Sequence, residues 1–223
     1  RHVVSLGADP GKIRVVGNGV DCQKFFPIDR AAAREQLGLP RDAKVLVSVG
    51  GLVERKGFHR VIELLPDLLA RFPDLHYLVV GGACPEGDLT QFLKDMVARL
   101  GLGERVHFLG AIAPEALHKP LSASDVFVLS TANEGWANVF LEAMACGLPV
   151  VTTDVGGNAE VVCDESLGSI TPFGDANALQ SAIAAALARE WNSERIIEYA
   201  CENSWDTRVE ILDQEFKALV RVS

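Results

Sequence analysis

Apolar residues fall along this chain in two alternating rhythms. Residues 44–49 (KVLVSV), 75–80 (LHYLVV), 106–109 (VHFL), 125–130 (DVFVLS), 149–153 (PVVTT) and 168–171 (GSIT) are short runs bounded by turn residues, and each is predicted to be a strand. Between and after them, apolar positions recur at helical spacing over 58–72, 88–100, 114–123, 138–146, 177–190, 193–203 and 205–222. Pro66 is expected to kink the first of these helices, whereas Pro114 suits the first turn of its own. Gly147 and Pro149 close the helix at 138–146. Ahead of the first strand, the turn signals Asp9-Pro10-Gly11, Gly17-Asn18-Gly19 and Pro27 frame a short strand at 13–16; a helix follows at 30–39, closed by Gly38 and Pro40.

Continuous apolar strands alternating with helices predict a parallel sheet covered on both faces. The expected fold class is α/β: a doubly wound, six-stranded Rossmann-like sheet of order 3-2-1-4-5-6. Its first and fourth strands are then neighbours, and ligands bind beyond their C-terminal ends, where the winding reverses. The loops at that point are GGLVERKG (50–57) and TANEGWAN (131–138).

The 223 residues, 48% of them apolar, suffice for a full core. No apolar run approaches the roughly 18 residues of a membrane span, and the start has no signal-peptide pattern. A cytoplasmic location is expected, and the whole protein remains compatible with membrane association. Because the chain begins at Arg1 rather than Met, it is expected to be a piece of a longer protein. The five cysteines (Cys22, Cys84, Cys146, Cys163, Cys201) are odd in number and widely spaced, and are read as reduced structural thiols. The formal charge of −9 argues against a nucleic-acid surface. No histidine pair has metal or triad spacing; His76 and His107 are read as structural. The glycine pairs at 50–51 and 81–82 fail the dinucleotide fingerprint, which disfavours a nicotinamide enzyme, and no Gly-x-Ser-x-Gly elbow is present.

The two loops at the reversal point carry the candidate chemistry. Arg55 and Lys56 stand just before a helix and follow glycines that let a backbone approach a ligand, an arrangement suited to phosphate. A basic pair is also common in solvated turns, and its place at the reversal point favours the ligand. Across the crevice, Asn138, Val139 and Phe140 open a helix whose N–H groups are aimed at a second phosphate. Glu142, one turn in, has the two acceptor oxygens that a vicinal ribose diol needs, although an acid near a positive helix end has its own electrostatic reason to be there. Glu134 reads either as an exposed loop acid or as a site residue. Gly156-Gly157-Asn158 with Glu160 lines the same mouth or makes a plain turn.

With these motifs in view, the chain resembles the retaining, nucleotide-sugar-dependent glycosyltransferases of GT-B fold known as glycosyltransferase group 1. The resemblance rests on KIRVVGNGVDCQKFFP, GGLVERKG, RVHFLG and SASDVFVLSTANEGWANVFLEAMACGLPVVTTDVGG, with its Glu-x7-Glu pattern, and on the closing helix that begins at Ser204-Trp205. It implies the C-terminal, donor-binding half of such an enzyme, with a leading segment at 1–40, the Rossmann-like unit at 41–203 and a helix at 204–223 that crosses to an absent N-terminal, acceptor-binding domain. It further implies that Lys56 and Arg55 face the donor diphosphate opposite Val139 and Phe140. Glu142 would hold the ribose, Glu134 would act as the catalytic carboxylate on the transferred sugar, and residues 108–110 would edge the base. The resemblance also implies that no metal is expected, since cations and a helix end would offset the charge of the leaving diphosphate. Many family members carry Arg where this chain has Gly51, so either Arg55 supplies that guanidinium or the donor is held less tightly.

The expected function is therefore binding of a UDP-, GDP- or ADP-sugar for hexosyl transfer in cell-envelope or glycan biosynthesis, to a glycan, lipid or small-molecule acceptor. The isolated chain is expected to bind nucleotide weakly and to transfer no sugar. A sugar-nucleotide epimerase domain and a non-catalytic nucleotide-binding or scaffold module stand as alternatives.

Overall fold

The computed structural model describes residues 2–221, with side chains described for 3–219. Among them the strands are β1 (Lys44–Val49), β2 (Leu75–Val80), β3 (Val106–Gly110), β4 (Val126–Leu129), β5 (Val150–Thr153) and β6 (Gly168–Thr171). They form one parallel sheet in the order β3-β2-β1-β4-β5-β6, as the strand pattern predicts. The helices are α1 (His2–Ser5), α2 (Arg30–Gln36), α3 (Phe58–Arg71), α4 (Thr90–Arg99), α5 (His118–Ser122), α6 (Asn138–Ala145), α7 (Asn158–Val161), α8 (Ala176–Ala188), α9 (Ser193–Glu202) and α10 (Trp205–Arg221).

Alternation along the strands decides which helix covers which face. Val45 and Val47 point with Phe127 and Leu129 into a core shared with Phe140, Leu141 and Met144 of α6 and Ile196 of α9. Leu46, Val126 and Val128 point the other way, onto Val61, Ile62, Leu65 and Leu68 of α3 and Ile183 and Leu187 of α8. Burial of both faces explains why the strands read as unbroken apolar runs. A polar bracket closes the base of the sheet. Arg34 of α2, 4% exposed, donates to Asp125 (2.8 Å) and to the carbonyls of Ala123 (2.9 Å) and Arg41 (2.6 Å), while Asp125 also accepts the N–H of Val45 (2.7 Å).

Several predicted elements differ in detail. Residues 13–16 form no strand: Pro10–Lys12 is a 3-10 turn capped by Asp9, and Val15 is 74% exposed with no strand edge to join. The stretch 114–123 splits into a 3-10 turn, Pro114–Ala116, followed by α5. Pro66 lies on the exposed side of an uninterrupted α3, so the apolar face of that helix stays continuous. The predicted last helix matches α10 as far as Arg221; the side chain of Val220 and all of Val222 lie outside the described residues.

The reading of all five cysteines as reduced thiols is overturned, because Cys22 and Cys201 form a disulfide with a Cα–Cα separation of 6.0 Å. The two are 179 residues apart and meet only because the leading segment returns to the C-terminus of α9. There Val20 donates to the Asn203 carbonyl (3.1 Å) and accepts from the Trp205 N–H (3.1 Å). Cys84, Cys146 and Cys163 are free. Along α10, Trp205, Val209, Leu212, Phe216 and Leu219 are exposed. Among the described residues no helix is long and apolar enough to cross a membrane.

Candidate functional site

The loops after β1 and β4 are stitched together at the reversal point of the sheet. After Gly50 the chain makes a 3-10 turn, Glu54–Lys56, and leaves it through Gly57 at φ +75°. Any side chain at Gly57 would run into the Ser130 carbonyl at the end of β4, so glycine is what lets the loops close on each other. The Ala132 N–H then donates to the Arg55 carbonyl (2.7 Å).

This junction gathers charge. Lys56 Nζ lies 2.5 Å from Glu134 Oε1, which also accepts from Thr131 Oγ1 (3.0 Å) and faces Arg55 Nη1 (3.4 Å). The side chains of Lys56 and Glu134 are only 14% and 8% exposed. Glu134 is thus no solvated loop acid but a nearly buried carboxylate with cationic and hydroxyl partners. Arg55 turns its Nε and Nη2 toward Glu86 (2.5 and 2.6 Å), and this hydrogen-bonded carboxylate raises the guanidinium pKa further above its ordinary value.

Across the crevice, α6 begins at Asn138 with no side-chain cap. Asn138 Oδ1 accepts from Asn18 Nδ2 (2.9 Å), which orients the first turn from the leading segment. The Phe140 N–H donates to the Ala137 carbonyl (3.0 Å), and its ring is buried in the core. That narrows the anticipated three-residue cradle to the N–H groups of Asn138 and Val139. Glu142 is half-buried, and burial pushes its carboxyl above the ordinary range, against the opposing pull of Lys24. The Cys146 thiol, one turn on, is pushed up to about 12 by burial and by Glu142.

Gly51 sits against Cys84: a side chain there would begin 2.8 Å from the Cys84 sulfur. The end of β3 approaches the same mouth, with the Gly81 N–H donating to the Gly110 carbonyl (2.8 Å). Gly156, at φ +55°, lies directly beneath the Glu134 carbonyl, so the glycine pair of the β5–α7 loop permits close packing against the loop that carries Glu134. Asn158 is fully buried and ties to Thr152 (3.2 Å) and the Thr153 carbonyl (2.9 Å), whereas Glu160 is exposed. His76 and His107 pair with each other at 2.9 Å, in keeping with a structural role.

Sequence reasoning missed Thr131, Asn18, Glu86 and Cys84. Asn18 had a signal, as the centre of Gly17-Asn18-Gly19, but it was legible only as a turn. Glu86 and Cys84 are ordinary loop residues whose partners Arg55 and Gly51 are remote in sequence, and Thr131, three residues from Glu134, carries no motif of its own.

Residues 29–203 match the family model described as glycosyl transferases group 1. The chain is 34% identical over 219 residues to the D-inositol 3-phosphate glycosyltransferase of Mycobacteroides abscessus, covering 95% of this chain and 48% of that protein. Among solved structures, HepE of Anabaena in complex with UDP superposes with a TM-score of 0.82 at 27% identity, covering 96% of this chain and 60% of that one; HepE is also solved with UDP-glucose. The C-terminal domain of a glycosyl transferase group 1 family protein, LpcC of Francisella tularensis, aligns with a TM-score of 0.66 at 25% identity, over 84% of this chain and 95% of that domain. The chain spans about half the length of the curated relatives it matches. The sheet order, the paired loops at its reversal point and a family match across most of its length lead to one assignment: this chain belongs to the glycosyl transferases group 1 family, with GT-B enzymes as its structural neighbours.

Proposed function

We propose that the chain is the nucleotide-sugar-binding half of a retaining glycosyltransferase that moves a hexosyl group from a nucleoside diphosphate to an acceptor hydroxyl. The observation that carries this reading is the Lys56–Glu134 pair, set opposite the uncapped start of α6 at the reversal point of a parallel sheet. Lys56 and Arg55 meet the diphosphate from one side, and the N–H groups of Asn138 and Val139 meet it from the other. Glu142 accepts from both ribose hydroxyls, and the backbone at residues 108–110 edges the base.

Glu134 is held in place by Lys56 and Thr131 and accepts hydroxyls of the transferred sugar, fixing its anomeric carbon against the departing phosphate. In the transfer step, the bond from that carbon to the diphosphate oxygen breaks and the bond to the acceptor oxygen forms on the same face. The acceptor proton passes to the departing diphosphate. The two cations and the helix end stabilise the developing charge without requiring a metal.

The acceptor is bound by a domain preceding these residues, and the exposed apolar stripe of α10 packs against that domain. HepE is seen with UDP and UDP-glucose, which favours a uridine diphosphate donor here. Calorimetry of the chain with UDP, GDP and ADP tests the reading. Binding of one of them, lost in Lys56→Ala and Glu142→Ala, supports it; no binding of any sinks it. The isolated chain should show no transfer to acceptor, and measurable turnover would contradict the division of labour.

A further inference from the structure

Glu86 has no place in the donor site as described, yet it makes the most complete contact of any residue with Arg55. A guanidinium offers two edges for bidentate binding, one formed by Nε and Nη2 and one by the two terminal nitrogens. Glu86 occupies the first at 2.5 and 2.6 Å. The second is partly engaged, because Nη1 faces the Asn133 carbonyl (3.3 Å) and Glu134 (3.4 Å). While the fork is closed, Arg55 has no full edge to present to a phosphate.

The fork is built to open. Arg55 and Glu86 are 34% and 50% exposed, so solvent weakens their attraction, whereas the Lys56–Glu134 pair is nearly buried. Glu86 rides on a turn anchored beside the phosphate loop. Cys84 and Gly87 exchange backbone hydrogen bonds (3.0 and 2.9 Å), and Leu52 is bonded to both Gly82 (2.9 Å) and Leu89 (2.7 Å). Cys84 of the same turn fills the space beside Gly51, so no guanidinium can arise at position 51 without displacing it. Arg60, which lines the same cavity as Arg55, spends Nη1 on the Ser130 carbonyl (3.0 Å), whereas Arg55 is held mainly by Glu86, with Glu134 at 3.4 Å.

We propose that Glu86 is a counter-ion that holds Arg55 off the donor diphosphate, and that diphosphate binding exchanges the Arg55–Glu86 fork for an Arg55–phosphate contact. This rests on the donor-site reading above. Lys56, itself paired with Glu134, then gives one attraction for the donor, and Arg55 a second one that is released only when a phosphate competes for it. Glu86 acts through Arg55 and touches no reacting atom, which makes it a positioning residue.

The test is a double-mutant cycle read by calorimetry with UDP, GDP and ADP on wild type, Glu86→Gln, Arg55→Ala and the double variant, with circular dichroism to check folding. Glu86→Gln should bind nucleotide about threefold tighter than wild type, a gain of the size expected from releasing one exposed ion pair. The same change in the Arg55→Ala background should leave affinity unaltered. Weaker or unchanged binding by Glu86→Gln would overturn the proposal. So would an equal gain in both backgrounds, because that is plain through-space repulsion of the ligand by Glu86. If wild type binds none of the three nucleotides, the donor site itself falls and the proposal with it; if wild type binds and the cycle shows no coupling, only the role of Glu86 is lost.

Discussion

Lys56 Nζ sits 2.5 Å from Glu134 Oε1, joining the loop after β1 to the loop after β4 across 78 residues of sequence. Two side chains expected to serve different parts of a ligand, its diphosphate and its sugar, are thus partners of each other first. Removing either one leaves a nearly buried charge without its principal counter-ion.

Lys56→Met should therefore weaken nucleotide binding by about tenfold or more through loss of a charge-assisted contact. It should also destabilise the fold by roughly 1–3 kcal/mol. Adding Glu134→Gln should restore part of the stability and none of the binding. Chemical denaturation alongside calorimetry separates the two effects; full recovery of binding in the double variant would refute the assignment.

Glu142 predicts a conflict between stability and function. Its folded-state pKa is raised by burial, so the folded form holds its proton to higher pH than the unfolded chain does. The stabilising contribution is present below the unfolded value and is lost as pH rises through the folded one. At pH 7 the ionised carboxylate is a liability, so Glu142→Gln should raise the melting temperature there, with less effect near pH 4, while reducing nucleotide affinity. A lower melting temperature at pH 7 would show that the acid is instead satisfied in the free protein.

The paired histidines should make the fold acid-sensitive. Burial lowers the pKa of both His76 and His107, and for His76 the charges of His107 and Arg105 add to it. A depressed folded-state pKa means that the unfolded chain takes up protons first as pH falls below the ordinary imidazole value of about 6.5. Stability present above that value is lost on acidification. Melting temperatures between pH 7.5 and 5.5 should fall more steeply for wild type than for His107→Phe; parallel slopes would rule the pair out as the cause.

Gly156→Ala should act on the site from beneath. The residue lies at φ +55° under the Glu134 carbonyl, so a methyl group meets both a strained backbone and a fixed oxygen. A loss of about 1–3 kcal/mol is expected, with a larger fall in nucleotide affinity than Gly103→Ala, where nothing lies within 4 Å, would produce.

The disulfide predicts a measurable dependence on reductant. Opening a Cys22–Cys201 link that closes most of the chain should cost about 2–4 kcal/mol. Cys22→Ser should reproduce the effect and make the protein insensitive to dithiothreitol, and peptide mapping under non-reducing conditions identifies the linked pair.

The sheet was legible in the sequence because its strands are buried on both faces. KVLVSV and LHYLVV carry that burial in their composition, and alternation with helical spacing leaves a parallel sheet as the arrangement that satisfies both. Sheet order follows, and with it the crevice where Arg55, Lys56 and Glu134 converge. Periodicity has no comparable hold on single contacts between loops. The Glu86 fork on Arg55, the Asn18 amide on Asn138 and the joining of Cys22 to Cys201 unite residues remote in sequence, and the Thr131 hydroxyl on Glu134, three residues away, depends on the conformation of their shared loop. Their geometry depends on where the loops end once the sheet has closed. The apolar pattern predicts a doubly wound α/β layer and the neighbourhood of its site; which charges in that neighbourhood are partners follows from how the loops close, because an ion pair is set by distance in space and not by spacing along the chain.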